Sequence, residues 1–388
     1  MAVTRRSPID RIVAIFTSLG LTIVCLVLGM VLILVGTLAQ VHLGIHQVQD
    51  IYFRSWFVWG PPGSFWPLPY LPGGYLVGSV LMVNLIAAHL YRFKLSWRKS
   101  GILLVHTGLI VMLVGELLSG LLQRDSNMRL TEGETKSYAE ADRELELAII
   151  DRTTPGIDKV LAIPEGALQK GRVVQKPELP FRVEVRAYFP NSEIFRRTGQ
   201  NAALDTPEAT QGTGTQFVAH EIPRTGKQNE RDLSAAWVEL VGPQGSLGTW
   251  MVCNAFTDTQ SFTFDDRTFT IELRQRRRYE PYKLTLLDFS HDKYPGTEIP
   301  RNFSSKVRLE DPRNHTSREV LIYMNHPLRY DGLTYYQSGY EGETTTILRV
   351  VQNPSRHLPY ISCVLVGLGL LVQFGIHLFT FFRRRAVA

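Results

Sequence analysis

Cysteine is scarce in this 388-residue sequence: Cys25, Cys253 and Cys363 are the three, and no two form a CxxC pair. Dithiol redox chemistry is thereby excluded, and without a CxxCH the chain is not itself a c-type cytochrome. No motif gathers Ser, His and Asp into a hydrolytic or nucleophilic constellation, and no internal repeat is visible. Charge is missing from four long stretches. Residues 12–40, 73–91, 101–122 and 358–382 contain no Lys, Arg or Asp, and Glu116 is their single acid. The mean hydropathy of -0.04 therefore averages two unlike populations.

A helix needs about 20 mostly apolar residues to cross a bilayer's hydrocarbon core. Only a helix satisfies its own backbone groups there, so each of the four stretches is expected to be a transmembrane helix. The first is too long for a cleaved signal peptide and lacks a small-residue cleavage site. It is expected to be a retained anchor, tilted to absorb its length.

The basic balance is a topology signal. The N-terminus, residues 92–100 and the tail after Phe382 hold Arg5, Arg6, Arg11, Arg92, Lys94, Arg98, Lys99, Arg383, Arg384 and Arg385, against Asp10 alone. This bias places all three segments, and so both chain ends, in the cytoplasm. The remainder of the chain is slightly acidic, so no basic patch for nucleic acid is left.

The fold class that follows is an integral membrane α + β protein, with four transmembrane helices and a large extracytoplasmic β-rich domain inserted between the third and the fourth. Residues 1–122 would carry three spans (12–40, 73–91 and 101–122) and an aromatic outer loop, 41–72. Residues 123–357 would form the outer domain, and 358–388 the fourth span with its basic cytoplasmic tail.

Alternation of period two marks strands at 181–189, 237–241, 261–274 and 283–289. Asp265–Asp266 reads as a turn, and Asp331–Gly332 as a hairpin turn, because Asp-Gly tolerates the positive backbone angles of type I′. Residues 191–214, rich in Thr, Gly, Gln and Asn, read as a mobile loop. The outer loop sets Trp56, Trp59 and Trp66 among prolines and glycines. Two readings fit it: an aromatic belt at the membrane interface, or a surface for a flat ligand or a partner.

Three histidines fall near the cytoplasmic ends of the spans. His106 follows Lys99 by seven residues, His377 precedes Arg383 by six, and His89 precedes Arg92 by three. Six or seven residues of helix correspond to roughly 9–10 Å of depth. An ionisable residue in hydrocarbon is costly without a partner, and neutral imidazole is a common axial ligand of haem iron. Each of these histidines is either such a ligand or a hydrogen-bonding link to a neighbouring helix; His89 lies close enough to the surface to snorkel. His42 and His46 would share one face of a continued helix, and His357 lies just outside the fourth span. Glu116 either meets a partner subunit or reaches the headgroups. Asn84 and Gln373 read as helix glue.

The first span, SLGLTIVCLVLGMVLILVGTLAQ, resembles that of the ResB family of cytochrome c biogenesis proteins, including its ending at Gly36, Thr37 and Gln40. The stretch from PYKLTLLDFSHDKYPGTEIPRNFSSKVRLED to MNHPLRYDGLTYYQSGY resembles the family's outer-domain core. Asn325, Pro327, Leu328, Gly332 and Tyr336-Gln337-Ser338 are its most specific parts. The order of three spans, outer domain and fourth span is also the family's.

The resemblance implies a subunit of a haem-lyase-type cytochrome c synthase in the bacterial cytoplasmic membrane, not catalytic alone. Such a subunit acts with a ResC/CcsA-type partner, moves haem b outward and attaches it to apocytochrome c. His106 matches the family's third-span haem ligand, and the haem would be shared transiently with the partner. The partner's WGxxWxWD signature is absent here, so the chain would be half of a synthase. The rival readings are a membrane scaffold that binds no haem and an accessory subunit whose outer domain binds a protein.

Overall fold

The computed structural model describes residues 7–60, 69–91, 96–198, 207–225, 230–293, 296 and 300–387. Two compact units emerge from the chain's contacts. One joins Met1–Gln123 to Asn353–Ala388; the other comprises Arg124–Thr225 and Glu230–Gln352.

In the first unit, α1 (Pro8–Phe16) starts at a capping box between Ser7 and Asp10, with proline at its first position. The apolar stretch expected as one helix is divided after it. Thr17 closes α1, and Ser18, extended at ψ 139°, caps α2 (Leu19–Val48) by accepting from Leu21 N at 3.1 Å. The break exposes carbonyls that need donors. Asn84 of α3 (Gly74–Tyr91) supplies them, with Nδ2 donating to Phe16 O at 2.8 Å and to Ser18 O at 3.1 Å. Its Oδ1 accepts from Thr22 at 2.6 Å, so this buried amide glues three helices.

The remaining helices are α4 (Ser100–Leu122) and α5 (Leu358–Val387). Four described helical segments, Leu19–Phe53, Gly74–Tyr91, Trp97–Leu122 and Leu358–Arg385, are long and apolar enough to cross a membrane. Helices α4 and α5, separated by the whole β-rich unit in sequence, pack on each other. Gly101, Gly108 and Gly115 recur every seven residues and form the contact stripe of α4. A Cβ at Gly101 would stand 2.6 Å from Gly369 O and from Gln373 Cβ, and one at Gly108 would stand 2.7 Å from Val366 Cγ2. Ser362 adds a hydrogen bond to Gly108 O at 2.7 Å. Backbones this close are typical of packing in lipid, where apolar burial provides no drive between helices.

The second unit is β-rich. Among the described residues, a four-stranded sheet runs in the order 245–253, 235–242, 182–189, 173–174. A ten-stranded sheet is built around the long strands Thr135–Asp151 and Arg267–Lys293. The late half of Thr135–Asp151 and the early half of Arg267–Lys293 pack on the small sheet over a core that includes Leu147, Val183, Leu240, Trp250 and Phe269. The other halves belong to a sheet that curls. Val307 and Ile322 from one end of the strand order share a core with Leu328 and Tyr335 from the other, giving a near-barrel.

Both predicted turns form. Asp265 and Asp266 have φ of 53° and 56°, and Asp331 and Gly332 have 48° and 78°, the left-handed pairs of type I′. The expected loop 191–214 is partly a strand. Ser192–Arg196 pairs with Phe217–Glu221, placing Phe195 opposite Val218. Residues 199–206 lie outside the described ones. The residues most specific to the ResB resemblance build this unit. Asn325 takes φ 62° at a turn, and Gln337 Nε2 donates to Gly339 O at 3.1 Å and to Thr346 Oγ1 at 2.9 Å. Ser305, from the other end of the strand order, donates through Oγ to Gln337 Oε1 at 2.6 Å and so bridges the curl.

Asp151 ends one of the long strands and is held as a carboxylate. It accepts from the hydroxyl and the backbone N of Thr153 and from Arg267 Nη2 at 2.6 Å, which together lower its pKa to about 2. A depressed carboxylate stabilises the fold above its unfolded pKa of about 3.9. That contribution is lost as the pH falls from about 4 through about 2. Asp151→Asn is therefore expected to lower the urea midpoint of the detergent-solubilised chain at pH 7 and to flatten its dependence on pH below 4, read by tryptophan fluorescence. An unchanged acid limb in the variant would show that Asp151 does not carry it.

Candidate functional site

Among the described residues, histidines meet inside apolar helices in the first unit alone. His89 of α3 and His106 of α4 lie edge to face, with ring centroids 4.7 Å apart and planes at 82°. His106 Nδ1 is 3.1 Å from His89 Nε2, and His89 Nδ1 is 2.9 Å from Leu85 O on its own helix. Sequence reasoning set the two at different depths, because His89 lies two residues from the end of α3 and His106 six from the start of α4. That difference corresponds to roughly 6 Å of helix. Side chains close the gap, since every Cα–Cβ bond tilts toward its helix N-terminus. In two consecutive helices with only eight residues between them, His106 leans back toward the connection and His89 leans away from it.

The chemistry of this chain of contacts is directional. A backbone carbonyl only accepts, so His89 Nδ1 carries the hydrogen. Hydrocarbon disfavours charge on either ring, and in a neutral imidazole the other nitrogen then holds a lone pair. With both rings neutral, His89 Nε2 would accept from His106 Nδ1–H, leaving the lone pair of the dyad on His106 Nε2. Either nitrogen of a neutral imidazole can bind a metal, and this arrangement would offer Nε2. His106 is half-buried, and its helix is fixed on the opposite side by the glycine contact with α5.

Other candidates are not drawn together. His377 is exposed on α5, with Nε2 bonded to Gln373 Nε2 at 2.9 Å within the same helix. Between His42 and His46, Gly44 adopts φ 77° and ψ 164° and interrupts the helix, so the two do not share the face that their spacing suggested. His357 is exposed and accepts from Arg356 Nε at 3.1 Å. Cys253 is buried at 3% exposure. Burial pushes its thiol up, so it is a poor nucleophile. Among the described residues, no three His, Cys, Asp or Glu side chains converge as a metal cage. Trp66, Arg92 and Lys94 lie outside the described residues.

Near the opposite ends of α3 and α4 is a cavity of about 510 Å³. Glu116 faces it together with Gln40, Gln49 and Arg54, an arrangement that the sequence did not reveal. Its floor is smooth. A Cβ at Gly78 would meet nothing within 4 Å, and one at Gly120 only the hydroxyl of Tyr75 at 3.8 Å. Trp56 and Trp59 are exposed nearby in sequence, and the ring of Trp56 lies 6.4 Å from that of Tyr75.

Comparison with known proteins gives three findings. Residues 245–347 match the ResB-like family. The chain is 25% identical to protein NrfI of Wolinella succinogenes over 302 residues, which make up 76% of this chain and 29% of NrfI. It is 32% identical over 90 residues to the cytochrome c biogenesis protein CcsB of Prochlorococcus marinus, or 23% of this chain and 20% of that protein. The chain thus spans less than a third of either curated relative. The matched segment runs from the small sheet through the long strand 267–293 to the strand at 345–352, and it contains the turn and curl residues described above. Residues 245–347 are thus ResB-like, in agreement with the resemblance read from the sequence.

Proposed function

We propose that this chain is the haem-handling subunit of a membrane cytochrome c synthase and works with a ResC/CcsA-type partner. Haem b is its cargo. In this reading both chain ends are cytoplasmic, the β-domain faces outward, and His106 holds the iron between α4 and the partner in the cytoplasmic half of the membrane. One observation carries the proposal: a chain with a ResB-like segment, similar over 90 residues to a protein named for cytochrome c biogenesis, also holds a histidine pair within its long apolar helices. The donor set suits the cargo, because neutral imidazole is a usual axial ligand of haem and a single ligand per subunit leaves the other axial side to a partner.

Haem supplies the vinyl groups to which two CxxCH thiols add. This chain's residues hold, orient and release it. The basic cytoplasmic loop offers charge-assisted pairing to propionates at that depth. The partner is required because the tryptophan-rich haem signature is missing from the sequence.

The test is maturation of an exported reporter apocytochrome in cells without their own maturation system. The chain together with a ResC/CcsA-type partner is expected to yield covalent haem on the reporter, and the chain alone none. Covalent haem with the chain alone would place the attachment site here. A mature reporter from a complex that never contains haem at His106 would favour the scaffold reading.

A further inference from the structure

We propose that His89 is a positioning residue: it fixes the tautomer of His106 and so determines that Nε2, not Nδ1, is the nitrogen offered to a ligand. The inference about haem rests on the function proposed above; the inference about the tautomer does not.

The geometry allows one consistent assignment for the neutral pair. Leu85 O stands 2.9 Å from His89 Nδ1, so that nitrogen donates, and His89 Nε2 is left as an acceptor 3.1 Å from His106 Nδ1. His106 must then donate through Nδ1. The edge-to-face arrangement at 82° suits this, because one ring's N–H can point along the in-plane lone pair of the other. The relay starts from a helix carbonyl, a group that cannot change its role, so the polarity of the whole chain is set by the backbone of α3. Two effects follow for His106. Its ring is held in one orientation, and the hydrogen bond it donates makes the distal nitrogen more basic. Partners of this kind orient metal-binding histidines, and their removal typically costs about 10- to 100-fold in metal affinity.

The nearest alternative role for His89 is that of a ring filling space between α3 and α4. That role predicts no effect on which nitrogen of His106 carries hydrogen. The two are separated by nitrogen-15 NMR of the full chain, histidine-labelled, in lipid bilayers and without haem; His106→Ala identifies the His106 signals. The expected wild-type spectrum has His106 Nδ1 protonated and Nε2 unprotonated. In His89→Ala, His106 loses its acceptor and is expected to shift to a population with Nε2–H. In His89→Gln, the side-chain carbonyl can accept in place of imidazole, and the wild-type pattern is expected to return. An Nε2–H tautomer in the wild type, or an unchanged tautomer in His89→Ala, overturns the proposal.

Haem provides the second readout. His89→Ala is expected to weaken haem retention in the complex by about 10-fold or more, and His89→Gln much less. Should His106→Ala keep its haem while the tautomer follows His89, the ligand reading fails and the relay stands. Should His106→Ala lose its haem while the tautomer ignores His89, the ligand reading stands and the relay fails.

Discussion

Complexes carrying His106→Ala are expected to lose co-purified haem and reporter maturation together, while still assembling with the partner. The loss should exceed the roughly 10- to 100-fold that removal of an outer-shell partner costs, since the ligand itself is gone. An imidazole two turns into a span is too deep to snorkel, so its desolvation needs a hydrogen bond, a metal, or both. His89 provides the bond at 3.1 Å, and the iron would occupy the remaining lone pair. Exogenous imidazole is expected to refill the cavity and restore part of the haem absorption. His377→Ala and His42→Ala should leave haem content near normal, because the first histidine is exposed and paired with Gln373 and the second is exposed. Normal haem absorption in His106→Ala would refute the assignment and favour a scaffold that binds none.

The second large effect is expected in the β-domain. Arg274 and Glu146 are cross-strand partners on the long strands, with Nε to Oε1 at 3.0 Å and side-chain exposures of 9% and 5%. Arg274 also reaches the more exposed Glu272 at 2.6 Å. Replacing Arg274 by Met keeps the aliphatic stem and leaves the Glu146 carboxylate buried without its counter-charge. Breaking a buried pair in this way costs about 3–5 kcal/mol, whereas replacing both partners by apolar residues is often nearly neutral. Arg274→Met alone should therefore lower the urea midpoint markedly, and Arg274→Met with Glu146→Met should recover most of it. Equal losses in the single and double variants would mean that the pair matters through shape and not charge.

How much of this was legible beforehand depends on the range of the force involved. Hydrophobic length is local, so four candidate spans and their order could be read from runs of apolar residues. The turns at Asp265–Asp266 and Asp331–Gly332 were equally legible, because a positive φ is a property of one or two residues. Capping is nearly as local. Even so, the division of the first apolar stretch at Thr17 and Ser18 was hidden by the uniform hydropathy on both sides. The strand Ser192–Arg196 was missed because its pairing partner, not its composition, makes it a strand.

By itself the sequence determined which residues are too apolar for water, which ends carry the basic flanks, and which imidazole sits too deep to be free of a partner. Only the tertiary structure decided what that partner is. Helices α4 and α5 meet through glycines that are more than 240 residues from the side chains they touch, as Gly108 and Ser362 are. His106 meets His89 because, in consecutive helices with only eight residues between them, the Cα–Cβ bonds lean one side chain toward the connection and the other away from it. Depth along a helix can be counted in the chain. The rotation of one helix against another follows from side chains packing across it, and no count along a single chain contains that.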